Sequence, residues 1–396
     1  MTTVVPDSYP MNRTCPFDPA PELAELRRRP SISRVRLDFD DSMVWLITKY
    51  EDACTVLRDT RFSSDFTRPG FPARLTSRPP GPGTFIRMDP PDQTRLRGLL
   101  VPEFRLKRVQ ELRPMIQRIV DRLLDEMIAK GSPADLIESF ALPLPFVIIT
   151  ELLGVPDEHR EFFYETTNMI GDQSISTAER MTVRTKLRSF LEELVSSKEA
   201  HPTGDLLSRI LERREGAEVS REEVIGIATL LMVAGYETVA SQIGVSTLVL
   251  LQHPEQLAEL KADPSLMDDA IEELVRHQTV TDYGARRVAT EDVRVGGELI
   301  RAGEGVLVVL GSANRDESVF ADPDRWDMHR GAREHLGFGF GPHQCPGQLL
   351  ARAQLEIALN TLFRRLPDLK VATSIEEVPF RGDMFVYGVH RLPVTW

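Results

Sequence analysis

At 396 residues and 41% hydrophobic, with no low-complexity tract or repeat period, the chain can bury a large core. Its 60 acidic against 48 basic residues, a net charge of −12, argue against nucleic acid as a general partner. Three isolated cysteines, Cys15, Cys54 and Cys345, fit a reducing compartment; the first 26 residues carry neither a signal-peptide apolar core nor an Arg/Ser-rich transit pattern, so a cytoplasmic location is expected.

In chain order, apolar residues recur at helical spacing over 22–29, 50–59, 91–104, 106–130, 140–153, 157–169, 178–197, 221–251, 254–261, 266–277 and 348–362. Short β-branched and aromatic runs predict strands at 35–39, 43–48, 286–289, 299–309 and 384–387. The fold class expected is mainly α with small β regions near 33–48, 285–309 and 384–394, and no linker divides residues 1–396 into separate domains. The Pro/Gly-rich stretch 66–85 reads as a long surface loop.

Residues 224–251 are long enough to cross a bilayer and carry one charge, Glu237. They also hold Tyr236, Thr238, Ser241, Gln242 and three glycines. A mid-membrane carboxylate costs about 2.5–3.5 kcal/mol, so a long helix through a globular core is the better expectation.

The most informative stretch is FGFGPHQCPGQLLAR, residues 338–352. Gly337, Gly339 and Gly341 allow a tight turn and close approach to a flat object. Pro346 fits a first helical position, which would put Cys345 at a helix N-terminus, where free N–H groups and the dipole favour a thiolate, the form a soft metal ligand takes. A zinc site lacks partner ligands at any workable spacing, and a phosphate loop lacks the Lys-Ser/Thr after its glycines.

The run Phe338-Gly339-x-Gly341-x-His343-x-Cys345-x-Gly347 resembles the haem-ligand signature of the cytochrome P-450 family, the haem-thiolate monooxygenases. The resemblance implies one triangular, helix-rich domain whose long central helix crosses the haem, with heme b (iron protoporphyrin IX) as cofactor and Cys345 as its metal ligand. Ala234-Gly235-Tyr236-Glu237-Thr238 resembles the family's distal acid–alcohol motif, with Tyr236 where histidine is usual. It implies an oxygen pocket beside Ala234 and Gly235, Thr238 as the hydroxyl beside dioxygen, and Glu237 as the acid relaying protons for O–O cleavage. The haem propionates would be held by Gln93, Arg97, Arg287 and His343, Gln93 standing where histidine is commoner. Glu273 and Arg276 resemble the family's structural Glu-x-x-Arg pair, completed by Arg325.

Peroxide-using relatives place an arginine near the acid's helix position, and residues 221–251 contain none after Arg221, which favours dioxygen and external electrons. With no GxGxxG following a strand, those electrons would come from a ferredoxin-type donor. The basic residues Arg95, Arg105, Lys107, Arg108 and Arg113 form a candidate docking patch. By family position a bulky lipophilic substrate would meet 66–86, 167–174, 231–238, 280–285 and 384–386. The ending YGVHRLPVTW resembles actinomycete enzymes that oxidise secondary metabolites and foreign compounds. Three other classes compete: a haem-thiolate sensor, which would have no use for Glu237–Thr238; a peroxygenase; and a cysteine hydrolase using Cys345 and His343, disfavoured because such pairs usually lie far apart in sequence.

Overall fold

A computed structural model describes residues 8–38, 40–72, 81–171, 176–214, 216, 218–281, 284–382 and 386–396. Helices dominate: α1 (Pro21–Arg28), α2 (Tyr50–Arg58), α3 (Asp92–Leu100), α4 (Leu106–Lys130), α5 (Pro143–Leu153), α6 (Arg160–Gly171), α7 (Thr177–Ala200), α8 (Leu206–Arg214), α9 (Arg221–Gln252), α10 (Pro254–Ala262), α11 (Met267–His277), α12 (Leu310–Ala313) and α13 (Gln348–Arg365). The strands are short: β1 (Ser8–Tyr9), β2 (Ser33–Leu37), β3 (Met43–Ile47), β4 (Phe62–Ser63), β5 (Ala134–Asp135), β6 (Ala285–Ala289), β7 (Val293–Val295), β8 (Glu298–Ile300), β9 (Gly305–Val308), β10 (Lys370–Val371) and β11 (Pro393–Thr395). The main sheet runs β1-β2-β3-β9-β6-β4; β9 lies parallel to β3 and antiparallel to β6, with Arg287 opposite Val306. That register fixes where Arg287 leaves the sheet.

Where boundaries differ from the sequence pattern, proline and glycine explain most of it. The expected helix 91–104 stops at Leu100 and continues as a 3-10 turn over Val101–Phe104, because Pro102 has no N–H to extend the α ladder. The helix expected over 140–153 starts properly only at Pro143, after a π turn at Ile137–Ala141. The strand expected over 299–309 is two strands, separated by a turn in which Gly303 takes φ +83°. Helix α8 occupies a stretch with no predicted element; Leu206, Leu207, Ile210 and Leu211 form its buried face. Half of the strand expected at 384–387 lies outside the described residues; the chain beside it makes an isolated bridge between Phe380 and Val389.

Helix α9 starts at a capping box, the Ser220 hydroxyl accepting from the Glu223 N–H while the Glu223 carboxylate takes the Ser220 N–H. Every residue from Val239 to Leu250 is buried, so its apolar length serves a protein core and not a bilayer. The main core joins α4, α5, α9, α11 and α13, and a second cluster under the sheet reaches Phe340. The residues after Phe340 lie between these two masses.

Candidate active site

The ligand loop is shaped from both sides by close backbone approaches. A Cβ on Gly341 would stand 2.5 Å from the Leu57 carbonyl oxygen of α2, and one on Gly337 would stand 2.5 Å from Val275 Cγ1 of α11. These two glycines therefore accommodate protein neighbours, where a flat ligand had been the expectation. Gly339, at φ +72°, has nothing nearer than 3.8 Å to a built Cβ, and Gly235 on α9 and Gly347 have nothing within 4 Å. The Cys345 N–H donates to the Phe338 carbonyl at 2.8 Å, closing the loop.

Cys345 does not sit at the helix end itself. Gly347 is the N-cap and α13 begins at Gln348, so Pro346 lies before the helix and not at its first position. Burial pushes the Cys345 thiol up; the N–H of Gly347 and the cations of Arg97 and Arg352 pull against it without winning. The chain's own N–H and cations thus do not offset the burial of this sulfur, and a bound metal cation is what would favour its thiolate.

Three cations, Arg87, Arg97 and Arg287, gather around His343 of the ligand loop. Burial, then Arg87, pulls the Arg287 guanidinium down to about 10, with Asp89 opposing weakly. Burial likewise lowers Arg87, and it lowers Arg97 against the opposing influence of Cys345. His343 is driven to about 3 by burial and by Arg287, Arg97 and Arg87, so its ring is neutral. Among the described residues no carboxylate forms an ion pair with Arg87, Arg97 or Arg287. A buried Arg287 and half-buried Arg87 and Arg97, with Arg87 adding to the cost of charge on Arg287, make a place that suits an anion from outside the chain. Arg97, Arg287 and His343 come together as expected, and Arg87 joins them; one arginine inside FIRMDPP carries no motif by which to find it. Gln93 is buried and donates from Nε2 to the Pro342 carbonyl at 2.7 Å, so one of its two N–H bonds braces the ligand loop.

On α9, Ala234, Gly235, Glu237 and Thr238 lie in a partly exposed stretch just before the buried run that starts at Val239. The Thr238 hydroxyl donates to the Ala234 carbonyl at 2.8 Å, which leaves its oxygen lone pairs as what it offers outward. Tyr236 turns the other way, into the core, where it meets Phe146 edge-on with ring centroids 5.8 Å apart and hydrogen-bonds Tyr164. Glu237 is pushed up by burial, partly offset by Arg381, whose Nη1 lies 3.2 Å from its Oε1. Arg381 comes from the segment after α13, 144 residues away, and no spacing rule links the two. The absence of arginine along α9 after Arg221 therefore does not leave its acid without a guanidinium.

Two sequence expectations need correction. Glu273 does bind Arg276, at 2.7 and 2.8 Å, but the third member is Arg330, at 3.0 Å from Glu273 Oε1. The Arg325 side chain is 70% exposed and faces Asp327 at 3.5 Å; only its backbone carbonyl joins the network. Two members of the basic patch are committed internally, Arg95 to Glu223 of α9 at 2.7 Å and Arg113 to Glu356 of α13 at 2.5 and 2.7 Å. Arg105 and Lys107 are exposed beside Leu106 (59% exposed), and Arg108 makes an i,i+3 pair with Glu111 at 2.9 Å.

A long central helix facing a cysteine loop, on a mainly helical frame with a small sheet, is the fold of the cytochromes P450. Cytochrome P450 MoxA from Nonomuraea recticatena superposes with a TM-score of 0.91 at 43% identity, covering 98% of each chain. The Cytochrome P450 family model matches residues 261–380. Cytochrome P450-SU2 of Streptomyces griseolus is 45% identical over 100% of this chain and 98% of its own length. Pentalenic acid synthase of Streptomyces avermitilis is 46% identical over 99% and 98%. The chain belongs to the cytochrome P450 family and is a monooxygenase of that family; membership implies a haem–thiolate cofactor.

Proposed function

We propose that this chain holds heme b through Cys345 and hydroxylates or epoxidises a bulky lipophilic secondary metabolite or xenobiotic, using dioxygen and two electrons from a ferredoxin and its reductase. The observation that carries the reading is the set of guanidiniums Arg87, Arg97 and Arg287, buried or half-buried around His343 two residues from Cys345 and, among the described residues, in no ion pair with a carboxylate. A metalloporphyrin with two propionates supplies both missing charges, the anions for the rim and the metal cation for the sulfur. The donor set fits it.

The haem, when bound, supplies dioxygen activation. For the chain's own part, Arg87, Arg97, Arg287, neutral His343 and the second N–H of Gln93 would hold the carboxylates. Gly347 N–H would donate to the Cys345 sulfur, Phe338 and Gly339 would flank the ring, and Ala234 and Gly235 would leave room on the other side. The Thr238 oxygen would accept a hydrogen bond in the pocket. Glu237, its carboxyl pushed up by burial against the opposing pull of Arg381, would relay protons. Arg381 is engaged by Glu237, so it gives little support to carboxylate capture of the peroxygenase kind.

Arg105, Lys107 and Arg108, on the part of the surface next to α13, would receive an acidic ferredoxin; Arg95 and Arg113 leave the patch for the internal pairs described above. The protein would act as a cytoplasmic monomer, the whole chain as one unit. The test is spectroscopic first. Reduced, carbon-monoxide-bound protein should show the red-shifted Soret band of thiolate ligation, and its absence would refute haem–thiolate binding. Oxygen-dependent product formed with a ferredoxin system then separates an enzyme from a sensor.

A further inference from the structure

Glu272, next to the structural Glu273 on α11, is buried and belongs to a different network. Its carboxylate accepts a two-pronged contact from Arg352 of α13, Nε at 2.5 Å and Nη2 at 2.9 Å, and lies 3.1 Å from Nε2 of His335. The Gly337 N–H donates to His335 Nδ1 at 2.9 Å, so the proton of this ring sits on Nε2 and points at Glu272. Carboxylate, imidazole and peptide N–H thus form a relay that ends on the residue where the ligand loop begins.

Arg352 closes the other side. Its guanidinium carbon lies 4.3 Å from the Phe338 ring centroid, and Phe338 is the residue whose carbonyl takes the Cys345 N–H. Through Phe338 the charge of Arg352 thus stands one packed residue away from the Cys345 backbone. Arg352 and Glu272 cancel, so of the two cations near the sulfur only Arg97 keeps an uncompensated charge.

We propose that Glu272 is a positioning residue for the proximal sulfur: it neutralises Arg352 beside Cys345 and, through His335, fixes the entry of the ligand loop, so that the sulfur keeps the negative charge it shares with the metal. This rests on the reading of Cys345 as the haem ligand. A purely structural acceptor could be an amide as well as a carboxylate, whereas charge cancellation requires the charge.

The test is the reduction potential of the haem-loaded protein across a charge cycle. Glu272→Gln keeps the acceptor and removes the charge, and should raise the potential; Arg352→Gln should lower it; the double substitution should return it close to the unsubstituted value. Each single change is expected to alter the oxidised-to-reduced ratio about tenfold, which is about 59 mV for one electron. Glu272→Asp retains the charge and should stay near the starting potential. Single substitutions that shift the potential in the same direction, or not at all, overturn the proposal, as does an Asp variant that shifts as far as the Gln variant. If Glu272→Gln loses haem, Arg352→Gln decides alone, and an unchanged or raised potential refutes the idea. A missing thiolate Soret band in the unsubstituted protein removes the Cys345 reading and the inference together; an intact band without opposite shifts removes the inference alone.

Discussion

Arg330→Ala and Arg325→Ala should differ sharply in stability, although only Arg325 matches the family's sequence pattern. The Glu273 carboxylate is fully buried and accepts from Arg276 Nε and Nη2, from Arg330 Nε at 3.0 Å and from the Asp327 N–H at 3.1 Å. Arg330, 13% exposed, also donates to the carbonyls of Arg325 at 2.7 Å and Asp322 at 3.1 Å, and to that of Ala321. Hydrogen bonds to charged groups are worth about 1.5–3 kcal/mol each when buried, and water can reach the outer carbonyls, so a loss of about 2–4 kcal/mol is expected for Arg330→Ala. Arg325, 70% exposed with one contact at 3.5 Å, should cost about 0–1 kcal/mol. Urea unfolding of the haem-loaded variants, followed by the Soret band and by far-ultraviolet circular dichroism, gives both values under one set of conditions. Equal losses, or a larger loss for Arg325→Ala, would show that the buried network is not what the structure describes.

Replacing Arg287 by Gln should weaken haem retention roughly 10- to 100-fold, the value of one charged hydrogen bond, as read by haem transfer to an acceptor protein; unchanged retention removes Arg287 from the rim. Pro346 has no N–H to offer the sulfur; Pro346→Leu supplies one worth about 1 kcal/mol and should raise the reduction potential by roughly 40 mV, and an unchanged or lower value refutes a role for the missing donor. Reversing Arg105 and Lys107 to glutamate should slow ferredoxin-supported turnover several-fold at low ionic strength and little at high, with peroxide-supported turnover as the control; a salt-independent loss points away from docking. Arg381→Gln removes the cation that opposes burial at Glu237, so the carboxyl rises further and the limb of kcat that tracks its ionisation should move to higher pH. A limb that stays in place excludes Glu237 from the relay.

Local patterns carried much of this protein. The bounds of α4, the start of α9 and the order of the elements follow from apolar spacing and from a capping box written in adjacent residues, since a helix is decided within a few turns of chain. The loop around Cys345 was legible as a glycine-shaped turn leading into a helix, but α13 begins only at Gln348, and Gly337 and Gly341 make room for Val275 and Leu57, neighbours that no contiguous pattern names. What the tertiary structure alone decided are pairings between distant segments: Arg381 on Glu237, Arg330 in place of Arg325 on Glu273, Arg352 and His335 on Glu272, and Arg95 on Glu223. An arginine reads the same in sequence whether solvated, ion-paired or left without a counter-ion. Its charge acquires a role only when folding removes water from around it and fixes which carboxylate, if any, is within reach.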